Sequence, residues 1–333
     1  MDEAPASVPE PKASGRVAVV TGAAGFIGSH LVERLVGAGT EVRAVDCLTS
    51  YYSVEQKRHT LRALELLPGC RVIRADLRTC AMAELLDGVD VVFHQSGQPG
   101  VRSSWEGFDE YVAQNLLVTQ RLLAATQGSG VRRFVYASSS SVYGDASRHP
   151  TPEDALPKPI SPYGATKLAA EHLCGVYAGL GVSTVSLRYF TVYGPRQRPD
   201  MALHRLIEAA LSGERFPLFG DGRQVRDFTY VADVVEANMA AGEASDLPPG
   251  AVLNIAGGTV TSLQEVIEMV EELVGRSVEI DRRPVQRGDV RETSGATALA
   301  ADLLGWRPRV ALQDGVTEQI SWHVARTTLE RSA

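Results

Sequence analysis

Between residues 136 and 173 the chain reads YASSSSVYGDASRHPTPEDALPKPISPYGATKLAAEHL, and two side chains in it are spaced for proton chemistry. Tyr163 and Lys167 stand four apart, about one helical turn, so on a helix they project from one face. A phenol with an ordinary pKa near 10 is a poor base at neutral pH. An ammonium one turn away favours the phenolate and lowers that value. A phenolate tuned in this way can remove the proton of a substrate hydroxyl. The serine run upstream supplies hydroxyls to orient or relay it: Ser139 is the candidate, with Ser140 and Ser141 supporting it. Taken alone, such a Tyr–Lys pair can also be two residues on a helix surface, and a serine run can simply end a strand.

A second constellation lies far upstream. In VVTGAAGFIGSH, Gly22, Gly25 and Gly28 sit between an apolar run and a helical pattern. Glycines there let the backbone turn tightly and approach a pyrophosphate, whose charge rests on the helix N-terminus. Phe26 and Ile27, at the helix start, belong to the same contact. The spacing is GxxGxxG rather than the commoner GxGxxG, and three glycines without context make only a tight turn. The context is present: the next apolar run ends at Asp46, where a carboxylate accepts both ribose hydroxyls and repels a 2′-phosphate. A turn or helix-cap role is the alternative for Asp46. The combination predicts NAD rather than NADP, with Asp76 and Leu77 on the adenine side. The positive nicotinamide would further favour the Tyr163 phenolate and take hydride from the carbon whose hydroxyl loses its proton.

These groups need rigid elements to hold them. RVAVVTG, EVRAVD, RVIRADL, DVVFHQSG, RFVYASSSS and STVSLRYFTVYG read as buried strands. GSHLVERLVGAG, YVAQNLLVTQRLLAATQ and the segment from Ser161 read as helices between them. Strands alternating with helices predict an α/β fold, a Rossmann-like doubly wound parallel sheet with helices on both faces. Past residue 190 the rhythm breaks into Pro/Gly-rich turns and one strongly amphipathic helix, SLQEVIEMVEELVG. The reading is a disordered tail over 1–15 and an NAD-binding domain over 16–190, rejoined by 229–258. A smaller C-terminal substrate lobe takes 191–228 and 259–330.

Bulk properties narrow the function. A formal charge of −7, from 33 basic and 40 acidic residues, argues against nucleic acid or an anionic membrane as partner. No apolar run approaches the roughly 18 residues of a membrane span. The N-terminus MDEAPASVPEPKASG has no apolar core of a secretory signal. Cys47, Cys70, Cys80 and Cys174 show neither CxxC nor metal-ligand spacing. The expectation is four free thiols in a reducing cytoplasm, with no metal.

The motifs TGAAGFIGSHL, SSSSVYG, SPYGATK, RYFTVYGPRQRPDM, GDGRQVRDFTYVAD and LLGWRP occur in this order. Together they resemble the extended short-chain dehydrogenase/reductases, the nucleotide-sugar epimerase/dehydratase family, over residues 16 to 325. The resemblance implies that Tyr163 is the base, that Lys167 tunes it and holds the nicotinamide ribose, and that NAD stays bound through the cycle. It also implies a homodimer paired through a four-helix bundle. The helices near Tyr111–Gln127 and Pro162–Leu180 fit this, with apolar residues on more than one face.

Within the family, 4,6-dehydratases carry an Asp-Glu pair in the serine segment, where this chain has Ser140 and Ser141. UDP-glucuronate decarboxylases commonly have Glu before VYG, where Ser141 stands here. UDP-glucose 4-epimerases usually have Asn where this chain has Thr191, and lack the Tyr51-Tyr52 pair. These features, with GVRSS and GPRQRPDM, resemble UDP-glucuronate 4-epimerases. UDP-glucose 4-epimerase, UDP-glucuronate decarboxylase and a non-catalytic NAD-binding regulator are the alternatives. Oxidation at carbon 4 of a uronate makes a β-keto acid that readily loses carbon dioxide. A bidentate guanidinium can hold the carboxylate out of the alignment that permits loss. Arg198 is the candidate, with Thr191 as a hydroxyl donor and Arg102 as a further substrate contact. The resemblance assigns Arg226 to the UDP phosphates and backbone near Pro217 and Phe219 to uracil. Two segments depart from the family pattern: HQSGQPG, which puts Gln95 and Ser96 beside the cofactor, and TSGATAL, which puts Ala296 where an acid is usual.

Overall fold

The structure, a computed structural model, describes residues 15–332, with side chains through 326. All but the last residue of the segment read as an N-terminal tail lie outside these residues. Seven strands form one parallel sheet: β1 (Val17–Thr21), β2 (Glu41–Asp46), β3 (Cys70–Arg74), β4 (Val91–His94), β5 (Arg133–Ser139), β6 (Thr184–Tyr189) and β11 (Ala251–Ile255). Their order is β11-β6-β5-β4-β1-β2-β3. β4 and β5 are buried along their whole length because helices cover both faces. One layer is α1 (Phe26–Gly37), α2 (Val54–Glu65) and α8 (Val231–Glu243). The other holds α3 (Met82–Leu86), α4 (Phe108–Tyr111), α5 (Val118–Thr126) and α6 (Pro162–Ala178). The chain runs outward from β1 to β2 and β3, then crosses to β4 on the other side of β1. That reversal opens a crevice above the carboxyl ends of β1 and β4, where sheets of this kind bind ligands.

Shorter pieces build a cap over the same edge. β7 (Val192–Tyr193) pairs with β10 (Thr229–Tyr230), and β8 (Phe216–Phe219) with β13 (Ile280–Arg283). β9 (Val225–Asp227) lies between β12 (Val260–Ser262) and β14 (Glu292–Thr293). α7 (Ala202–Ser212), α9 (Leu263–Val274), α10 (Ala298–Leu304) and α11 (Leu312–Ser332) complete it. Leu206, Ile207, Leu218, Val266 and Val270 form a separate apolar core here. The amphipathic helix α9 starts with a reciprocal Ser262–Glu265 capping box and ends at Gly275 in the left-handed region.

Two elements differ from the sequence expectation. The run STVSLRYFTVYG is not one strand: β6 ends at Tyr189, and β7 leaves the main sheet to pair with β10. Phe190 and Thr191 make the step, which sends the chain from the sheet into the cap. The helix through YVAQNLLVTQRLLAATQ contains a π-helical stretch, Val112–Leu117, between α4 and α5. Such insertions re-aim side chains and are frequent at functional sites. Here the stretch turns Asn115 inward.

Candidate active site

The first cavity, about 160 Å³, occupies the crevice and is lined by Gly22, Gly25, Phe26, Ile27 and Gly28. Gly22 has a positive φ of 69°, and a Cβ there would fall 2.8 Å from the Ser96 Cα. A Cβ on Gly28 would fall 2.2 Å from the Gly22 carbonyl oxygen. The loop after β1 therefore packs as bare backbone between the loop after β4 and the start of α1. Gly25 caps α1 without a side chain and no acid occupies its first turn, so the amides there face the cavity uncompensated.

Asp46 lines this cavity at the end of β2, and its carboxylate is oriented by backbone donors. Oδ2 accepts from the Ala24 amide at 3.0 Å and Oδ1 from the Leu48 amide at 2.7 Å. Leu77 lines the far wall, but Asp76 does not. The Asp76 carboxylate is clasped by the Arg78 guanidinium at 2.7–3.1 Å, which also holds its pKa below the usual range. Gln95 lines the cavity, yet its amide is already used: Nε2 donates to Asn238 Oδ1 at 2.8 Å and Oε1 accepts from the Tyr189 hydroxyl at 3.1 Å. It braces β4 against α8 and β6.

The second cavity, about 560 Å³, lies between the sheet edge and the cap and meets the first at Phe26, Ile27, Tyr51, Pro99 and Arg198. Ser139, Ser140, Ser141, Tyr163 and Thr191 form its floor. Ser161 caps α6 by accepting from the Gly164 amide at 3.1 Å, and Pro162 occupies the first turn. A Cβ on Gly164 would come 2.5 Å from the Ser141 carbonyl oxygen, so glycine lets α6 press against the serine segment. Tyr163 is thereby brought into the same floor as Ser139, whose hydroxyl accepts from the Ser141 amide at 3.1 Å.

The electrostatics around Tyr163 differ from the sequence expectation. Burial dominates and raises the phenol; the Ser139 hydrogen bond and the Arg198 charge oppose it. Lys167 is buried, its ammonium 4.5 Å from the centre of the Tyr136 ring, and burial pushes it down to about 8. In the protein alone, then, Ser139 and Arg198 only partly offset the burial that raises Tyr163, and the lysine is itself destabilised as a cation.

Asn115 is a participant the sequence reading missed. It is buried, accepts from the Gln98 amide at 2.6 Å, and donates to the Gln98 carbonyl and the Thr166 hydroxyl, both at 3.1 Å. It ties the loop after β4 to α6 beside Lys167. An amide in the middle of an apolar helix pattern was its only sequence signal. Beneath the floor, Glu171 and Arg188 form a buried ion pair, and the Ser138 hydroxyl donates to Glu171 at 2.7 Å.

Arg198, Arg102 and Arg226 all reach the second cavity and each already has a partner, while Arg205 lines it with no ion pair among the described residues. Arg198 donates to Asp200 through Nε at 2.9 Å and Nη2 at 3.0 Å, so one edge of its fork is occupied. Its loop is clamped on both sides. Arg196 pairs with Glu33 on α1 at 2.6 and 2.7 Å, while Gln319 on α11 donates to Gln197 at 2.9 Å. Arg102 pairs with Asp289 at 2.9 Å and lies 4.0 Å over the Phe219 ring. Arg226 donates to the carbonyls of Val225 and Val290, both at 2.8 Å, rather than to Asp227 or Asp221. Pro217 and Phe219 line the same end. Ala296 lies outside both cavities, its amide donating to the Thr151 carbonyl at 2.9 Å.

One further grouping, His204, Glu208 and His323, brings nitrogen and carboxylate atoms within 4.8 Å of one another. Arg326 donates to the same carboxylate and supplies a positive charge there.

The profile of the NAD dependent epimerase/dehydratase family matches residues 18–256, the stretch that carries both the glycine cradle and the Tyr163–Lys167 helix. The chain belongs to that family. It is an NAD-dependent epimerase. An uncharacterized UDP-glucose epimerase of Bacillus subtilis (strain 168) is 42% identical, with 91% of this chain and 96% of that protein covered. The UDP-glucuronate 4-epimerase of Thermodesulfobacterium geofontis is 35% identical over 94% of this chain and 98% of its own. The Bacillus cereus UDP-glucuronic acid 4-epimerase, solved in complex with UDP-glucuronic acid and NAD, superposes with a TM-score of 0.90 at 40% identity, covering 93% and 99%. The first cavity fits the cofactor chemically: a side-chain-free cradle, helix amides for the pyrophosphate, and an oriented carboxylate at Asp46 for a ribose. Among the described residues no helix is long and apolar enough to cross a membrane.

Proposed function

We propose that this epimerase interconverts UDP-glucuronate and UDP-galacturonate at sugar carbon 4. The observation that carries this reading is the chemistry of the second cavity's walls. Its floor is hydroxyls and a phenol, and the carboxylates among its described lining residues, Asp200 and Asp289, are each paired with an arginine. An elimination of water needs a free acid and base flanking the leaving group, and none lines this site. Hydride exchange at one carbon needs only the phenol and its tuning groups.

In this reading Tyr163 removes the carbon 4 hydroxyl proton and Ser139 orients that hydroxyl. Bound NAD accepts the hydride and returns it to the opposite face of the 4-keto sugar. The NAD charge adds to Arg198 and Ser139 against the burial that raises Tyr163. Lys167, with an ammonium pushed down to about 8, sits beside Gly97 where the nicotinamide ribose would lie. Asp46 reads the adenosine ribose. Arg226 and Arg102 take the diphosphate, and the Phe219 segment takes uracil. Thr191, Ser140 and Ser141 ring the sugar, and Arg198 holds the uronate carboxylate.

A UDP-glucose 4-epimerase is the second reading, favoured by the Arg198–Asp200 pair, which leaves that wall close to neutral. Incubation with UDP-glucuronate followed by proton NMR separates the two. UDP-galacturonate supports the proposal, UDP-xylose makes the protein a decarboxylase, and turnover of UDP-glucose alone selects the second reading. A homodimer is also proposed, since Leu117, Val176 and Leu180 are exposed on the helices flanking α6 and on α6 itself and its C-terminal end. Light scattering at micromolar concentration would reject it by reporting a monomer.

A further inference from the structure

Resting on the uronate reading, we infer that Asp200 is a specificity-determining residue: an internal carboxylate that occupies the edge of Arg198 a sugar carboxylate would otherwise take. Its two oxygens accept from Nε and Nη2 of Arg198 at 2.9 and 3.0 Å, the side-on fork geometry in which a guanidinium binds any carboxylate. Asp200 lines the sugar cavity and not the cofactor cavity, whereas Arg198 lines both. The acid therefore stands on the substrate side of the guanidinium.

It is also held from outside the pair. The Tyr51 hydroxyl donates to Asp200 Oδ2 at 3.3 Å and approaches Ser103 at 3.4 Å. Ser103 is bonded in turn to Tyr111 at 2.6 Å, whose ring meets Tyr163 edge-on. The cofactor loop after β2 and the Arg198 loop meet at this carboxylate, and the loop after β4 reaches it only through Tyr51.

Two consequences follow from charge alone. While Asp200 stays ionised, the wall nearest carbon 5 of the sugar carries a guanidinium and a carboxylate whose fields largely cancel at a distance. A neutral hexose then meets at Arg198 an already paired cation, and a uronate is attracted there less than a bare arginine would attract it. For the uronate to take the Nε–Nη2 edge, Asp200 must yield it; otherwise the substrate carboxylate is left the end-on Nη1–Nη2 edge and the hydroxyls of Thr191 and the serine segment. Either arrangement places two carboxylates near one guanidinium, so Asp200 trades uronate affinity for a fixed arginine and a fast release.

The test compares Asp200 and Asp200→Asn in NAD-loaded protein, each carrying Tyr163→Phe so that no turnover intervenes. Dissociation constants are measured by calorimetry for UDP-glucuronate and UDP-glucose. Asn keeps the size and one acceptor and removes the charge. UDP-glucuronate should bind about tenfold more tightly, an order-of-magnitude expectation for deleting one like charge in a partly buried site. UDP-glucose should change by less than about twofold, and Asp200→Glu should keep the parent ratio. Equal shifts for both sugars, or weaker UDP-glucuronate binding, would overturn the inference and leave Asp200 as a structural anchor. Loss of bound NAD in Asp200→Asn and in a second variant, Asp200→Ser, would do the same. Wild-type protein that epimerises only UDP-glucose would sink the uronate reading and this inference with it. Wild-type turnover of UDP-glucuronate with equal shifts in the variants would sink the inference alone.

Discussion

The two cavities are built from different materials. The cofactor cavity is anchored on backbone at its phosphate end: one loop of three glycines, the amides that open α1, and a carboxylate held by two amides. Its tolerance is set by atoms that cannot rotate away. The substrate cavity is chiefly side chain, gathered from the ends of β5 and β6, from α6, and from loops of the cap. Both its carboxylates arrive paired, Asp200 with Arg198 and Asp289 with Arg102. A backbone site is made once, by sterics. A site of paired side chains can re-partner when a ligand of matching charge enters, and so can be retuned among related sugars without touching the cofactor.

That contrast can be broken at either end. The largest effect belongs to Tyr163→Phe, which removes only the phenolic oxygen from the floor of the second cavity. Turnover should fall by roughly 10²–10⁴-fold, while bound NAD, read by absorbance after denaturation, stays nearly unchanged. Activity within about threefold of wild type would assign the base elsewhere.

Next comes Gly28→Ala. The new Cβ would meet the Gly22 carbonyl oxygen at 2.2 Å, and neither backbone can retreat without reshaping the cradle. Purified protein should lose most of its NAD although its far-ultraviolet circular dichroism is intact. Full NAD retention would show that the first cavity is more plastic than its geometry implies.

Arg198→Ala should act on the other cavity. Removing this partly exposed guanidinium also leaves Asp200 uncompensated, and affinity for UDP-glucuronate should fall by about tenfold or more, less than for a fully buried pair. UDP-glucose should be nearly indifferent. A fraction of the loosely held keto intermediate should lose carbon dioxide, seen as a UDP-4-keto-pentose in the product mixture. A variant with wild-type UDP-glucuronate affinity would put the carboxylate on Arg102 or on Ser139–Ser141.

The smallest change is expected from Asp46→Ala, which should narrow the preference for NAD over NADP by about tenfold, the order expected for removing a like-charge contact. Because Asp46 also accepts from Ala24 and Leu48, NAD itself should weaken slightly. Equal binding of NADP and NAD before mutation would remove Asp46 as the reader.

Much of the cofactor side was legible because its information is local. Gly22, Gly25 and Gly28 act through their own backbone, and the strand and helix that flank them are read from hydrophobic period. The helix carrying Tyr163 and Lys167 announces itself likewise, with Ser161 and Pro162 marking its start. The Arg78 clasp on Asp76 was not legible for the complementary reason: whether a neighbour two residues on pairs inward or outward is not a property of spacing. Asn115 was missed because a π-helical stretch, invisible in an averaged periodicity, turns it inward.

By itself the sequence determined the doubly wound sheet, the bare cradle after its first strand, and the phenol–lysine helix, since each follows from steric and periodic rules acting over a few neighbouring residues. Only the tertiary structure decided what state those groups are in. Burial, which no local pattern measures, raises Tyr163 and pulls Lys167 down, while Ser139 and Arg198 supply the opposing field. It also decided that Arg198 enters the site already holding Asp200, because loop 194–201 is clamped between α1 and α11 from opposite ends of the chain. Charge pairing depends on distances of a few ångströms between segments far apart in sequence, and only the folded chain sets those.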